Sequence, residues 1–231
     1  MNFETAVAEV QQIVGWRSDK EAEIQRALKY AQSQREQPGR TYPWFLRQVK
    51  TIATVVGQQE YTLPTGYIQD TDEEDGNLFV YTGTGTSTNR TIFLRKMDFM
   101  EAQQKYFGSW PASNRAEFSD QSDTIDAGAP QAYVLEALTV RFYPTPDAIY
   151  SVNWKCWAAD ATMATGQENQ WLRFAPWVLI GDAASKIGAD LGNSNAVSTA
   201  QGLLARAEAD LFRAVIHREE AGRRRYLGRR L

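Results

Sequence analysis

The chain has 231 residues, room for one large domain or two small ones. An apolar fraction of 43%, with seven Trp, supports a packed core and excludes disorder throughout. With 25 basic and 28 acidic side chains the net charge is -3, which excludes a general attraction to nucleic acid or to an anionic membrane.

Residues 2–16 read as a helix, because Phe3, Val7, Val10 and Val14 recur at helical spacing and Gly15 offers a left-handed end. Ser18 and Glu21 stand three apart, the spacing of a capping box, and predict a second helix to about residue 35 with Ile24, Leu28 and Ala31 inward. Pro38 and Gly39 end it. Residues 42–97 read as strands. The β-branched run Thr51–Val56, a turn at Gly57-Gln58-Gln59 and the return Glu60–Leu63 predict one hairpin. Residues 78–81 and 91–94, joined by small polar residues and glycine, predict another. Asp98 should cap a short helix to about residue 107, with Phe99, Gln103 and Tyr106 along one side. Residues 108–129 read as a loop.

A third hairpin is expected next. Thr139–Tyr143 alternates, with Val140 and Phe142 on one face, and Pro144 and Pro146 stop the strand because neither can donate a ladder hydrogen bond. The expected partner, residues 149–157, sets Tyr150, Val152, Trp154 and Cys156 on one face and Ser151, Asn153, Lys155 and Trp157 on the other. Residues 171–191 then predict one helix along Trp177, Ile180, Ala184, Ile187 and Leu191, ended by Gly192-Asn193. Residues 197–218 predict its antiparallel partner, with Ala200, Leu204, Ala207, Leu211 and Ala214 on one face.

The expected fold class is therefore α+β. N- and C-terminal helices (residues 1–40 and 166–220) form one bundle, an antiparallel β domain with one short helix (41–165) is inserted between them, and an extended tail (221–231) follows.

Reactive chemistry finds little support in these residues. His217 is the lone histidine and sits late in a charged helix; one His and one Cys make neither a zinc set nor an evident triad. Cys156, between two Trp on an apolar strand face, reads as a small buried hydrophobe, and a single Cys excludes an internal disulfide and suits a reducing compartment. The run Asp70, Asp72, Glu73, Glu74, Asp75 invites a calcium reading. Placing Gly76 sixth in an EF-hand loop puts Thr71 first and Thr82 twelfth, so both end ligands are missing and a solvated loop is expected, with a weak ion as the remainder. Gly83 and Gly85 lack the third glycine and following helix of a dinucleotide loop. Carboxylates are numerous, and no spacing singles out a pair for glycan hydrolysis. No apolar run reaches a membrane-spanning length, and the first residues carry no secretion signal. No cofactor, no catalytic residue and no metal ligand is expected.

Charge distribution says more than the sum. From Arg218 onward six Arg face Glu219 and Glu220, a local +4, while the preceding 217 residues hold 19 basic and 26 acidic groups, or -7. Arg223, Arg224, Arg225, Tyr226, Leu227, Arg229, Arg230 and Leu231 form the candidate site. Three readings suit it: a solubilising end, a docking peptide with apolar anchors and forked guanidinium groups, or a phosphate-contacting DNA element.

Several stretches in order carry a resemblance: VAEVQQIVGW, TYPWFL, GQQEYTLP, KMDFMEAQQKYF, PQAYV, LTVRFYPTPDAIYSVNW and NQWLRFAPWVLIGDAASKIGADL. Together, over residues 1 to about 220, they resemble the head-to-tail adaptor (connector) proteins of tailed bacteriophages, including the tail-tubular type. That resemblance implies a structural, non-enzymatic virion protein in the neck, assembled in the host cytoplasm. It also implies a ring, typically of twelve copies, between the portal protein and a tail nozzle or tail tube protein. Genomic DNA would pass through its centre without sequence-specific contact. The family's C-terminal segment reaches the portal, which here would be Arg223 to Leu231. A ring needs two different contact faces, for which Phe174 and Val178, off the main helical stripe, are candidates. A tail-associated glycan hydrolase and a DNA-binding module using the basic tail are the alternatives.

Overall fold

The computed structural model describes residues 1–71, 77–82, 90–106 and 127–227. In chain order its helices are α1 (Phe3–Val14), α2 (Glu21–Arg35), α3 (Phe99–Tyr106), α4 (Gln170–Phe174), α5 (Pro176–Asp190) and α6 (Ser194–Leu227). Its strands are β1 (Arg47–Ala53), β2 (Glu60–Thr62), β3 (Tyr67–Asp70), β4 (Leu78–Thr82), β5 (Arg90–Lys96), β6 (Ala132–Glu136), β7 (Thr139–Tyr143) and β8 (Ser151–Ala158). The fold is mixed α+β and divides into two compact units: Met1–Arg47 with Ala158–Leu231, and Gln48–Trp157. The loops at residues 72–76 and 83–89, and most of the loop at 108–129, lie outside the described residues.

In the first unit the stripe of α1 is buried as its spacing requires: Phe3, Ala6, Val7, Val10 and Val14. Asn2 caps it, its Oδ1 accepting from the Thr5 amide at 2.8 Å, and Gly15 at φ 95° closes it in a conformation that costs a residue with a Cβ. The capping box at Ser18 is not formed. Ser18–Lys20 is a 3-10 turn, tightened by a forked pair from Arg17 to Asp19 at 2.8 Å on each arm. Glu21 instead accepts from Gln25 at 3.1 Å. Helix α2 still buries Ile24, Leu28 and Ala31.

One helix expected over residues 171–191 is two. Pro176 has no N–H to donate and disfavours helical geometry in the residue before it, so Ala175 adopts φ -143° and ψ 47° and breaks the rod. The break turns the stripe. Trp177 is 38% exposed, whereas Val178, Leu179, Ile180, Ala183, Ala184 and Ile187 are buried. Val178 is thus buried within its own unit, while Phe174 remains exposed.

Helix α5 is the centre of this unit: α1, α2 and α6 all pack on it. Asn193 caps α6 through a 3.1 Å bond to the Ala196 amide, and α6 returns antiparallel. Its closeness to α5 is set by two glycines. A Cβ on Gly181 would stand 2.9 Å from the Leu204 Cβ, and one on Gly188 3.2 Å from the Ala196 Cβ. Arg35 of α2 binds the other two helices, with Asp182 at 2.8 Å and Glu208 at 2.6 Å.

In the second unit the described strands run β1-β8-β4-β5-β6-β7-β2 across one sheet, with β3 also on β8. The β4–β5 hairpin has the expected partners, Leu78 opposite Leu94 and Val80 opposite Ile92. Two other hairpins do not exist. Strand β7 lies between β6 and β2, with Val140 opposite Leu135 and Tyr61. Strand β8 pairs with β1, β3 and β4 instead. A strand has two edges, and both edges of β7 are filled. The nearer partner wins because Ala137, at φ 48°, turns β6 into β7 in two residues. The connection after Pro144 is drawn away by the segment following β1: the Pro146 carbonyl accepts from Gly57 and the Tyr150 carbonyl from Thr54. Strands β1 and β2 are likewise unpaired with each other. The sheet is not purely antiparallel either: β5 and β6 run parallel, which their long connection through α3 allows. Val152, Trp154, Cys156 and Ala158 form the buried face of β8, in the alternation expected. Asp98 caps α3 through the Glu101 amide at 2.9 Å.

Candidate partner-binding surface

The described candidate residues at the C-terminus do not form an extended tail. Through Arg223, Arg224, Arg225, Tyr226 and Leu227 the backbone continues α6, and Arg229, Arg230 and Leu231 lie outside the described residues. The reason is local: Arg, Tyr and Leu are sound helix formers, and the single Gly222 costs only about 1 kcal/mol against Ala. At 1.5 Å per residue the 34 residues of α6 span about 51 Å, against about 22 Å for the 15 of α5. Gly181 beside Leu204 and Gly188 beside Ala196 bring the start of α5 level with about the middle of α6. The second half of α6 therefore runs past its main partner.

Burial along α6 follows from that geometry. Ala196 and Ala200 are fully buried; Leu204, Leu211 and Val215 are half-buried; Phe212 is 60% exposed and Ile216 is also exposed. Where α6 leaves α5, a groove of about 390 Å³ opens, with Tyr42, Pro43, Trp171 and Val178 on one side and Leu211, Phe212 and Val215 on the other. Trp44, Phe45, Phe174 and Trp171 stack in a chain beside it, with ring centroids 4.6 to 5.6 Å apart. An apolar helix face this open, ending in a basic run, suits a protein partner better than a small molecule.

The polar centres elsewhere are braces. Asp70, which the acidic run suggested as a cation ligand, accepts from the indole of Trp154 at 2.9 Å and Lys96 at 3.0 Å. It also accepts from the hydroxyls of Tyr67 at 3.1 Å and Tyr133 at 3.3 Å. Four donors occupy its two oxygens. Burial, then the charge of Asp70, pushes both tyrosine hydroxyls well above their ordinary range. Asp72, Glu73, Glu74 and Asp75 lie outside the described residues. Nothing in the sequence marked Asp70 as a hub, since its donors come from four separate segments.

Glu36 and Asp160 are neighbouring carboxylates of the helical unit, and both are engaged. One Glu36 oxygen accepts from the Trp171 indole at 2.8 Å, from the Asp160 amide at 3.1 Å and from Gln32 at 3.1 Å. Asp160 caps the Gln170 amide. Burial, the largest effect on Glu36, lifts its carboxyl above the usual range. Cys156 is buried, and burial pushes its thiol up to about 11. His217 stands exposed on α6. Among the described residues no three His, Cys, Asp or Glu gather in a metal-binding group, and no helix is long and apolar enough to cross a membrane.

A comparison with curated proteins yields no match. The SU10 adaptor protein family, however, matches over residues 1–230. The helices, the sheet and the basic end thus lie within one family's span, and the chain belongs to the SU10 adaptor proteins, structural proteins of bacteriophages.

Proposed function

We propose that this chain is a head-to-tail adaptor that assembles as a ring, typically of twelve copies, between the portal protein and a tail nozzle or tail tube protein. The observation that carries the reading is the overhang of α6: half of a 34-residue helix extends past α5 with Phe212 and Ile216 exposed and a basic run at its end. An isolated helical stretch of that length is marginal in water, so its stability is completed by a partner. Arg223, Arg224, Arg225, Tyr226, Leu227, Arg229, Arg230 and Leu231 are the proposed portal-docking residues. Guanidinium groups fork onto carboxylates, and Tyr226, Leu227 and Leu231 supply apolar anchors. The -7 carried by the rest of the chain suits a channel through which DNA slides, because basic walls would hold phosphates.

The test is the mass of the complex formed when purified protein is mixed with its portal. A defined multiple of 26.1 kDa added to the portal is the expected result. Removing residues 222–231 should leave a folded monomer that no longer adds to it. Undiminished addition of the truncated chain would remove the docking role. Duplex DNA binding by the free protein that falls steeply with salt would favour the DNA-binding reading instead.

A further inference from the structure

In the sheet unit, two loops form a tip that presents aliphatic side chains to water. Val55 is 53% exposed, Val56 61% and Ile149 76%. Loops with exposed apolar residues are commonly loose, but this one is fastened at every step. The Tyr61 hydroxyl accepts from the Val55 amide at 2.9 Å and donates to the Gln58 carbonyl at 2.7 Å. The Thr54 hydroxyl donates to the Ala148 carbonyl at 2.9 Å and accepts from the Tyr150 amide at 2.7 Å. The Gly57 amide reaches the Pro146 carbonyl at 2.8 Å. Such bracing fastens the connection from β7 to β8 alongside the end of β1. It also holds three aliphatic side chains in a fixed array, the condition for docking at low entropic cost. Beside them stands Asp147, exposed and bonded only to the Tyr150 hydroxyl at 2.6 Å, with no ion pair among the described residues.

The groove beside α6 has the complementary character. Tyr42, Pro43, Leu211, Phe212 and Val215 make it apolar, and Arg40, at its edge, is exposed with no ion pair among the described residues. Ten side-chain carbons, at roughly 30 Å³ each as for a water-sized unit, fill about 300 Å³. The groove of about 390 Å³ accommodates them. The carboxylate of the tip and the guanidinium of the groove, neither in an ion pair among the described residues, are opposite in sign.

We propose that the Val55–Val56–Ile149 tip of one copy seats in the groove of a second copy, with Asp147 against Arg40. Tip and groove are different surfaces, so each copy keeps one of each free until the chain of contacts closes. The proposal rests on the ring reading above and names the contact that would build the ring.

Charge exchange tests it, with full-length protein assembled on portal rings. Arg40→Glu and Asp147→Arg, each alone, should cut the copies retained per portal about tenfold by placing like charges together. The two combined in one chain should restore assembly to within about threefold of the parent. A second measurement uses Arg40→Cys with Asp147→Cys in one chain and oxidation on the portal. A head-to-tail contact gives a ladder of covalent oligomers beyond the dimer. Single variants that assemble like the parent, a double variant no better than the singles, or Asp147→Cys joined to the portal in place of Arg40→Cys would each overturn the contact. Assembly of the parent on the portal with unaffected variants would sink this contact alone. A parent that never forms oligomers on the portal would sink the ring reading and the contact with it.

Discussion

Replacing Gly181 by Ala isolates the force that sets the line of α6. The new Cβ would stand 2.9 Å from the Leu204 Cβ and 3.1 Å from both the Ala200 carbonyl oxygen and the Leu204 Cα. Comfortable carbon contacts lie at about 3.5 to 4.0 Å, so α5 and α6 must part by roughly half an ångström or more. None of the three atoms is the free end of a side chain that can rotate away. Overpacking of this kind costs about 1 to 3 kcal/mol. Against it stands the gain of about 1 kcal/mol from Ala over Gly inside a helix. Gly202, within α6, supplies the control: a Cβ there meets no heavy atom within 4 Å. The propensity gain is the same for both substitutions and cancels in the comparison. Gly202→Ala should therefore be stabilising by about 1 kcal/mol, and Gly181→Ala should lie about 1 to 3 kcal/mol below it. At roughly 2 to 4 °C per kcal/mol for a chain of this size, the two melting curves should separate by about 2 to 12 °C. Urea or thermal unfolding followed by far-ultraviolet dichroism reads the difference. A Gly181→Ala protein as stable as Gly202→Ala would show that the glycine does not define the helix spacing.

Other outcomes follow from the polar centres. Asp70→Ala strips the acceptor from Trp154, Tyr67 and Tyr133, and at about 1 to 3 kcal/mol per stranded donor the loss should reach about 3 kcal/mol or more, while the more exposed Lys96 turns to water. Asp70→Asn should fall between it and the parent, and denaturant midpoints with near-ultraviolet dichroism check the order. Glu36 has a raised pKa in the folded chain, so the folded state holds its proton more tightly than the unfolded one. Its contribution is most favourable below the ordinary carboxylate range and is lost as pH rises through the raised value. Glu36→Gln should flatten that fall and match the parent only in acid; equal pH profiles for both would refute the assignment. Cys156, with its thiol pushed up to about 11 inside the sheet unit, should resist alkylation at pH 8 in the native protein and react at once in denaturant. Rapid native labelling would contradict its burial.

Local periodicity carried much of the fold into the sequence itself. The stripe of α1, the inward faces of α2 and β8, the Asp98 cap and the β4–β5 hairpin depend on residues two to four apart, or on strands adjacent in the chain, and each was legible there. So was the run of arginines near the end. Strand order was not. Val140 and Phe142 announce a strand with one buried face, but the alternation is silent on which edge each neighbour takes. That choice fell to the two-residue turn at Ala137 and to Thr54 and Gly57 holding the 146–150 connection. The Ser18 box lost to the Arg17–Asp19 pair, and Pro176 broke a stripe that looked continuous. Asp70 reads as one member of an acidic run until the sheet delivers Trp154, Tyr133, Lys96 and Tyr67 to its two oxygens. The groove needs residues near 42, 171 and 211, and the tip residues near 55 and 149. Short-range spacing can specify what a segment becomes, because the backbone repeats fix which side chains share a face. Which segments meet is decided by competition for a limited number of edges and faces, and that competition is settled only when the whole chain is packed.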